Sequence, residues 1–254
     1  MNRNPFLLVE TATFLLFISI GFWIGMRFEV DLPMQGRISH LKPTPSPIPT
    51  LSDGERILLL AGVDQLNTPQ PQLKSLWLLT YYLDERPVQL LPIYPPQEND
   101  QSLLESQIQE HFSVVKVDGV AQLNPQFLNL LVENDFWLSG YVLIDDHATA
   151  SIIDMLGGLP TTSGLCSGEQ ILKSIPQPAD HPQKAQSQQA TLLRQACLAV
   201  TRLSEQPEWD AVTALMPEHM ITDLNPVRLL SEIKILVSDL SHLRCEFPSI
   251  SATP

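Results

Sequence analysis

The chain has 254 residues and a formal net charge of −13, from 15 basic and 28 acidic residues. Hydrophobic residues make up 44% and charged residues only 17%, so the composition argues against an intrinsically disordered protein. Duplex nucleic acid is bound largely by neutralising its phosphates, and the chain has no Lys/Arg cluster, so nucleic acid is disfavoured as a partner.

The first predicted element is a transmembrane helix at residues 6–26, preceded by a cytoplasmic tip at residues 1–5. The stretch reads FLLVETATFLLFISIGFWIGM, with Glu10 as its one ionisable side chain, and about twenty apolar residues suffice to cross a bilayer core. A cleaved signal peptide and a buried soluble helix are the alternatives, but no small-x-small cleavage pattern follows. The flanking Lys and Arg residues leave the orientation open.

A Pro-rich linker is predicted at residues 27–54. Four prolines alternate within LKPTPSPIPT, which favours polyproline II and gives a semi-rigid spacer of about 3 Å per residue. Residues 55–247 are numerous enough for one α/β domain with its own core, and residues 248–254 are predicted to be a flexible tail.

Three strands are predicted at the start of this domain. RILLLAGVD, at residues 56–64, is an apolar run ended by Gly and a carboxylate, a pattern typical of a buried strand that opens onto a loop. Asp64 then lies where open α/β sheets place their ligands. Apolar runs at residues 75–83 and 88–94 flank the turn-forming residues 84–87, which predicts an antiparallel pair.

Helices and one further strand are predicted in the second half of the domain. Asn124 is a helix cap, followed by a helix to about residue 135, and a strand at residues 141–144 precedes a helix that ends at a Gly-Gly pair. Residues 176–189, rich in Pro, Gln, His and Ala, are predicted to form a mobile loop. Helices are predicted again from Thr191 to about Leu203 and after the Asn225-Pro226 cap.

Few residues suggest chemistry by themselves. The three cysteines, Cys166, Cys197 and Cys245, lack metal or dithiol spacing, which leaves buried thiols or, in an oxidising compartment, one disulfide of unspecified pairing. The Asp145-Asp146-His147 run is open to two interpretations, a set of metal ligands or a helix cap with surface acids. No GxSxG, Walker or HExxH motif is present, and no partner for a catalytic triad is recognised for His40, His111, His181, His219 or His242.

Taken in chain order, these segments resemble the LytR-CpsA-Psr family of membrane-anchored cell-envelope proteins. The family motifs ILLLGVD, SD, SIPRD, DFxxFxxLVDxLGGV, LxGEQAL, RxxRQ and TDLS are similar, in that order, to residues 57–64, 75–80, 90–94, 144–159, 166–172, 191–195 and 222–225. The resemblance covers roughly residues 55–247. It implies a three-layer α/β domain in which a mixed central β-sheet is sandwiched between helices.

The family is thought to transfer polymer precursors from polyprenyl-pyrophosphate carriers to the cell wall, with carboxylates that hold a divalent cation and arginines that hold the pyrophosphate. Asp64 matches the first of these carboxylates, and Arg194 is the one family arginine in register. The second carboxylate aligns with Leu76, and the arginine and aspartate of SIPRD align with Ile93 and Tyr94. Two other family arginines fall near Pro176 and on Thr191. Most of the charged site is therefore replaced.

Two functional hypotheses follow from this resemblance. The first is a noncatalytic binding or scaffold domain, with Asp64, Arg194, Leu76, Ile93 and Tyr94 as the candidate binding residues and with no cofactor. The alternative is a diverged phosphotransferase that uses Asp64 and Arg194 as catalytic residues, with Asp64 as a Mg²⁺ ligand. A purely structural interpretation makes Asp64 a loop cap and makes Arg194 a partner of Asp64 or of Glu169. A transcriptional role, also attached to the family name, is disfavoured by the acidic composition.

The resemblance also implies a location and partners. It favours an N-in, single-pass protein of the cell membrane with its domain outside the cytoplasm, since long domains translocate with little regard to flanking charge. The expected partners are the lipid bilayer, through the N-terminal helix, and a polyprenyl lipid or an envelope glycan.

Overall fold

The computed structural model describes residues 55–82, 87–96, 103–117, 119–162, 164–201, 209–238 and 244–247. The predicted cytoplasmic tip, transmembrane helix, Pro-rich linker and C-terminal tail lie outside these residues. Among the helices within these ranges, none combines the length and the apolar character needed to span a bilayer.

A six-stranded mixed sheet forms the centre of the domain. Its strands are β1 (Glu55–Val63), β2 (Leu73–Tyr82), β3 (Val88–Tyr94), β6 (Gly140–Asp145), β9 (Met220–Thr222) and β10 (Cys245–Glu246), in the spatial order β10-β3-β2-β1-β6-β9. β2 is antiparallel to β1 and to β3, β6 is parallel to β1, and β9 is antiparallel to β6. The predicted antiparallel pairing of the second and third strands is confirmed.

Two hairpins and seven helices make up the rest of the described domain. The hairpin strands are β4 (Val114–Val117), β5 (Val120–Leu123), β7 (Leu159–Thr161) and β8 (Gly164–Cys166). The helices are α1 (Leu103–His111), α2 (Pro125–Glu133), α3 (Asp146–Met155), α4 (Gly168–Ser174), α5 (Pro182–Val200), α6 (Trp209–Thr213) and α7 (Pro226–Ser238).

Helices pack against both faces of the sheet. Successive side chains of a strand point to opposite faces, so apolar strands supply a core on each side. On one face, Leu59 and Leu76 pack in a core with Phe127 of α2 and with residues of α1. On the other face, Trp77 packs with Leu229 of α7 and with residues of α5. The predicted three-layer arrangement, with a mixed sheet between helices, is confirmed.

The predicted helix boundaries in the middle of the chain are confirmed by their caps. The Asn124 side chain accepts a hydrogen bond from the Gln126 backbone N–H at the start of α2. α3 ends before Gly157 and Gly158, whose φ angles of +82° and +83° are strained for residues with a Cβ.

The loop predicted at residues 176–189 is wrong from residue 182 onward. Helix α5 begins at Pro182, which fits the first turn because its missing N–H would have no intrahelical partner there. Ala185 and Gln189 are buried, and the Gln189 amide donates a hydrogen bond to the Lys74 carbonyl oxygen at 2.9 Å. The polar composition was misleading because Gln189 is buried and makes hydrogen bonds to β2, which is distant in the sequence.

Cys197 of α5 and Cys245 of β10 form a disulfide, a pairing that the sequence alone did not specify. This bond joins the helical layer to the edge strand of the sheet. The sulfur of the third cysteine, Cys166, lies 3.2 Å from the Thr161 hydroxyl oxygen in the β7–β8 hairpin.

Candidate functional site

The sheet topology brings charged residues from three segments to one edge. β1 and β6 run parallel and end side by side, with Val63 opposite Asp145, so Asp64 and Asp146 follow neighbouring strand ends. β2 runs antiparallel to β1 and begins at this same edge, which places Lys74 there too. This edge is where open α/β sheets place their ligands.

Asp64 caps the loop that follows β1. Its Oδ1 accepts hydrogen bonds from the backbone N–H groups of Gln65, at 2.7 Å, and Gln72, at 2.8 Å. In addition, the Asp64 backbone N–H donates a hydrogen bond to the Gln72 carbonyl oxygen at 3.1 Å. The carboxylate therefore closes the loop, as the structural interpretation expects.

Lys74 and Asp146 form an ion pair beside this loop, with the Lys74 Nζ 2.5 Å from Asp146 Oδ2. Burial raises the pKa of Asp146 above its usual range, the Lys74 hydrogen bond and charge oppose that rise, and the negative charges of Asp64 and Asp145 add to it. The ammonium thus compensates only part of the negative charge at this edge.

Two adjoining spaces open around this ion pair. A strand-end cavity of about 80 Å³ is lined by Gly62, Ser75, Lys74 and Asp146 among others. An outer cleft of about 580 Å³ shares Lys74 and Asp146 and adds acidic, basic and His side chains from α3 and α4, namely His147, Asp154, Glu169 and Lys173. The small cavity holds only a few water molecules, whereas the cleft is large enough for a ligand of sugar size.

Neighbouring charges in the cleft largely cancel each other. Lys173 Nζ lies 2.7 Å from Glu169 Oε1 on the exposed face of α4. Asp154 Oδ1 accepts a hydrogen bond from the Gly168 N–H, which ties α3 to the start of α4. The cleft therefore offers polar groups without a concentration of positive charge.

Asp145 and Asp146 have different roles, which the sequence alone left open. Asp145 is buried, and its Oδ1 caps α3 by accepting from the Ala148 N–H at 2.9 Å. Its Oδ2 lies 2.9 Å from His219 Nδ1, and the centroid of the His219 ring lies 4.2 Å from that of the His147 ring, with the two ring planes tilted by 44°. The cap interpretation therefore holds for Asp145, whereas Asp146 faces the cavities.

Arg194 lies elsewhere in the fold. It is exposed on α5, with its guanidinium carbon 4.8 Å from the centroid of the Phe247 ring. Among the described residues it forms no ion pair with Asp64 or with Glu169, so the predicted pairing is wrong. The cause is the direction in which α5 presents this side chain, toward the β10 region.

The apolar candidates lie in the core instead of a pocket. Leu76 is fully buried on β2 opposite Tyr94 of β3, and Ile93 and Tyr94 pack in the same hydrophobic cluster. The Tyr94 hydroxyl accepts a hydrogen bond from the Gln109 side-chain amide at 3.0 Å, and burial raises the pKa of Tyr94. Core packing occupies the positions that align with the charged residues of the family.

One oxygen of each candidate carboxylate at this end of the sheet is already bonded within the protein. Asp64 Oδ1 is occupied by two backbone N–H groups, and Asp146 Oδ2 is occupied by the Lys74 ammonium. Mg²⁺ binds through oxygen ligands that must be accessible. Within the described part of the chain, no three His, Cys, Asp or Glu side chains are arranged to hold a metal ion.

Sequence reasoning missed Lys74 and His219. Lys74 directly precedes the residues that align with the SD motif, but a single lysine there forms no recognisable motif, and its position depends on the register between β1 and β2. His219 is 74 residues from Asp145 and reaches it because β9 pairs with β6, Ile144 lying opposite Met220. Neither contact has a local signal in the sequence.

Comparison of whole structures gives clear relatives of the fold. Protein gbs0355 from Streptococcus agalactiae is 13% identical, with a TM-score of 0.54 over 79% of this chain and 80% of that one. TagV from Bacillus subtilis is 13% identical, with a TM-score of 0.51 over 77% and 85%. TagT, in a structure bound to LIIa-WTA, is 14% identical, with a TM-score of 0.51 over 83% and 81%.

Sequence comparison alone finds no such relation: no protein-family model matches the chain, and no curated protein sequence matches it. TagV and TagT are LytR-CpsA-Psr proteins. At 13–14% identity the similarity concerns the fold, and it covers most of each chain. The described domain of this chain therefore has a LytR-CpsA-Psr-like fold.

Proposed function

We propose that this protein is a noncatalytic, membrane-anchored domain of the cell envelope that binds or positions an envelope component. The proposal rests on one observation: the charged side chains at the carboxyl ends of β1 and β6 are already bonded within the protein. Asp64 is committed to the backbone of its own loop, and Asp146 is paired with Lys74. No net positive charge is left there to hold a pyrophosphate, which transferases stabilise with cations.

The location is part of this proposal and has one independent support. Disulfides persist in oxidising compartments and are rare in the cytosol, and Cys197 is bonded to Cys245. This favours a domain outside the cytoplasm, tethered by the predicted helix at residues 6–26 in an N-in orientation.

Among the expected partners, the observed spaces favour a glycan. The strand-end cavity of about 80 Å³ is far below the roughly 300 Å³ at which small-molecule pockets begin, so it does not accommodate a polyprenyl chain. The outer cleft of about 580 Å³ is polar and open. A sugar group of an envelope polymer fits this cleft by size and by hydrogen-bonding capacity.

The alternative, a diverged phosphotransferase, is favoured by one observation. The Asp146 N–H lies 3.4 Å from the Asp64 carbonyl oxygen, so two carboxylate residues are adjacent at the ligand edge of the sheet. Mg²⁺ at Asp146 would have to compete with the Lys74 ammonium, which is paired with Asp146 Oδ2.

Turnover separates the two functions. The full-length chain in liposomes is incubated with a sugar-linked polyprenyl pyrophosphate and Mg²⁺, and release of the lipid phosphate is measured against an Asp64→Asn variant. We expect equal background rates in both proteins. Mg²⁺-dependent release by the wild-type chain that Asp64→Asn abolishes would establish the transferase and rule out the noncatalytic proposal.

A further inference from the structure

A second charged pocket lies at the opposite end of β1, away from the ligand edge described above. We call it the arginine pocket; it has a volume of about 120 Å³ and is lined by Arg56, Ser139, Arg228, Glu232 and three leucines. Arg56 is the second residue of β1, and Arg228 and Glu232 belong to α7. A space of this size admits one small ion and not a drug-sized molecule.

The side chains around this pocket are held in fixed positions. Glu232 is buried and accepts two strong hydrogen bonds, from the Tyr81 hydroxyl at 2.6 Å and from Arg228 Nε at 2.9 Å. Arg56 Nε lies 3.5 Å from Glu232 Oε1, the oxygen that also accepts from Arg228, and Arg56 Nη1 donates to the Glu55 carbonyl oxygen at 2.9 Å. Little further ordering is needed before these guanidinium groups can receive a ligand.

The pocket carries an excess positive charge in an acidic protein. Two guanidinium groups face one carboxylate, so the net charge is 2 − 1 = +1. Burial by itself would raise the pKa of Glu232, but hydrogen bonds from Tyr81 and Arg228 and both arginine charges lower it below the usual carboxyl range. Glu232 is therefore ionised and neutralises only one of the two arginines.

Hydrogen-bond donors remain unused at the pocket. Arg56 Nε is buried and makes no hydrogen bond within the described residues, its ion-pair partner Glu232 Oε1 lying 3.5 Å away, and a buried donor without a hydrogen bond is costly. Arg228 uses only its Nε among the bonds seen in the described domain, and its side chain is 60% exposed at the mouth of the pocket. The Ser139 hydroxyl, which accepts from the Ile57 N–H, can donate its own hydrogen.

From this geometry we propose that the arginine pocket binds one phosphate group between Arg56 and Arg228. Guanidinium groups match the oxygens of phosphate with paired, charge-assisted hydrogen bonds. The leucine walls, Leu58, Leu224 and Leu229, lower the local dielectric and strengthen those bonds. The exposed side of Arg228 leaves room for the rest of a phosphorylated molecule, so the phosphate comes either from solution or from a larger ligand.

Titration of the full-length chain with phosphate tests this proposal. Inorganic phosphate is added at constant ionic strength, with chloride as the background anion, and binding is followed by calorimetry and by NMR signals of Ser139 and Leu224. Arg228→Gln is the test variant, and Arg244→Gln, which removes another exposed arginine that does not line the pocket, is the matched control. Arg228→Lys keeps the charge but removes the guanidinium.

We expect saturable binding to the wild-type chain, weakened about tenfold or more by Arg228→Gln. Arg228→Lys should give an intermediate affinity, and Arg244→Gln should leave it within about twofold, because an exposed charge acts weakly through solvent. Absence of saturable binding, or equal weakening by both glutamine variants, would overturn the proposal.

A parallel titration with glycerol 3-phosphate separates the two sources of phosphate. Binding as tight as that of inorganic phosphate indicates a phosphate carried by a larger molecule, and binding of inorganic phosphate alone indicates the free ion. Failure of both ligands removes the site altogether. No turnover is measured, so the outcome is independent of the proposed noncatalytic function.

Discussion

The two ends of β1 carry opposite arrangements of charge. At the carboxyl end, the single ammonium of Lys74 lies among carboxylates, including Asp64 and Asp146. At the amino end, the buried carboxylate of Glu232 lies between two guanidinium groups. The end at which open α/β sheets place ligands is therefore acidic, and the remote end is the one suited to a phosphate.

The same comparison shows what decides the ionisation of a buried carboxyl. Burial raises the pKa of Asp146, and one lysine does not reverse that rise. Burial acts in the same direction on Glu232, but Tyr81 and two arginines more than compensate and lower its pKa. The number of donors aimed at each carboxylate determines the direction of the shift.

These shifts have opposite consequences for stability. Glu232 binds a proton less readily in the folded state, so its stabilising contribution is complete above the usual carboxyl pKa and is lost as pH falls through the lowered one. Asp146 binds a proton more readily in the folded state. Its ionisation therefore costs stability as pH rises through the raised pKa.

The largest expected effect is that of Glu232→Gln at the amino end. The substitution leaves two guanidinium groups without their carboxylate and forces an amide against Arg228, which should lower the free energy of unfolding by about 2–3 kcal/mol. Urea denaturation at pH 7 measures this loss, and the loss should shrink at acid pH, where the wild-type carboxylate is itself protonated.

The control for that substitution is Glu133→Gln, which changes an exposed glutamate at the end of α2. It should change stability by less than about 0.5 kcal/mol. If both substitutions cost the same, the arginine pocket would not be a preformed network, and the contrast between the two ends of β1 would disappear.

A smaller effect of opposite sign is expected for Asp146→Asn at the carboxyl end. Removing a carboxyl whose ionisation is disfavoured should raise the free energy of unfolding at pH 7. The expected gain is roughly 0–1 kcal/mol, the range of exposed ion pairs, because the Asp146 side chain is 38% exposed. The advantage should vanish as pH falls and the wild-type Asp146 is protonated. Thermal unfolding between pH 7 and pH 3.5 measures it, with exposed Asp180→Asn as the control.

If Asp146→Asn instead lowered the free energy of unfolding at pH 7, the Lys74 ion pair would stabilise the folded state by more than burial of the Asp146 carboxylate destabilises it. The carboxyl end would then resemble the amino end in having a charge network that stabilises the fold. The two ends would differ only in the sign of their net charge.

Local patterns predicted most of the fold, because strand runs, caps and Gly-Gly stops depend on neighbouring residues. Asn124 and Asp145 are such caps. The pattern failed at residues 182–189, where Gln186 and Gln189 are buried, because their burial depends on distant elements. The sites were harder still, since Lys74 reaches Asp146 only through the pairing of three strands.

The smallest expected effect concerns Arg194, the arginine in register with a motif of the family that the sequence resembles. Its guanidinium lies over the Phe247 ring on an exposed surface, so Arg194→Gln should cost about 0.5 kcal/mol, and a double-mutant cycle with Phe247→Leu should recover that coupling. The affinity for inorganic phosphate should not change, because Arg194 does not line the arginine pocket. If Arg194→Gln instead abolished phosphate binding while stability stayed constant, the phosphate would be held at α5. The positive charge of the amino end would then be structural, and the exposed arginine of α5 would be the one that binds the ligand.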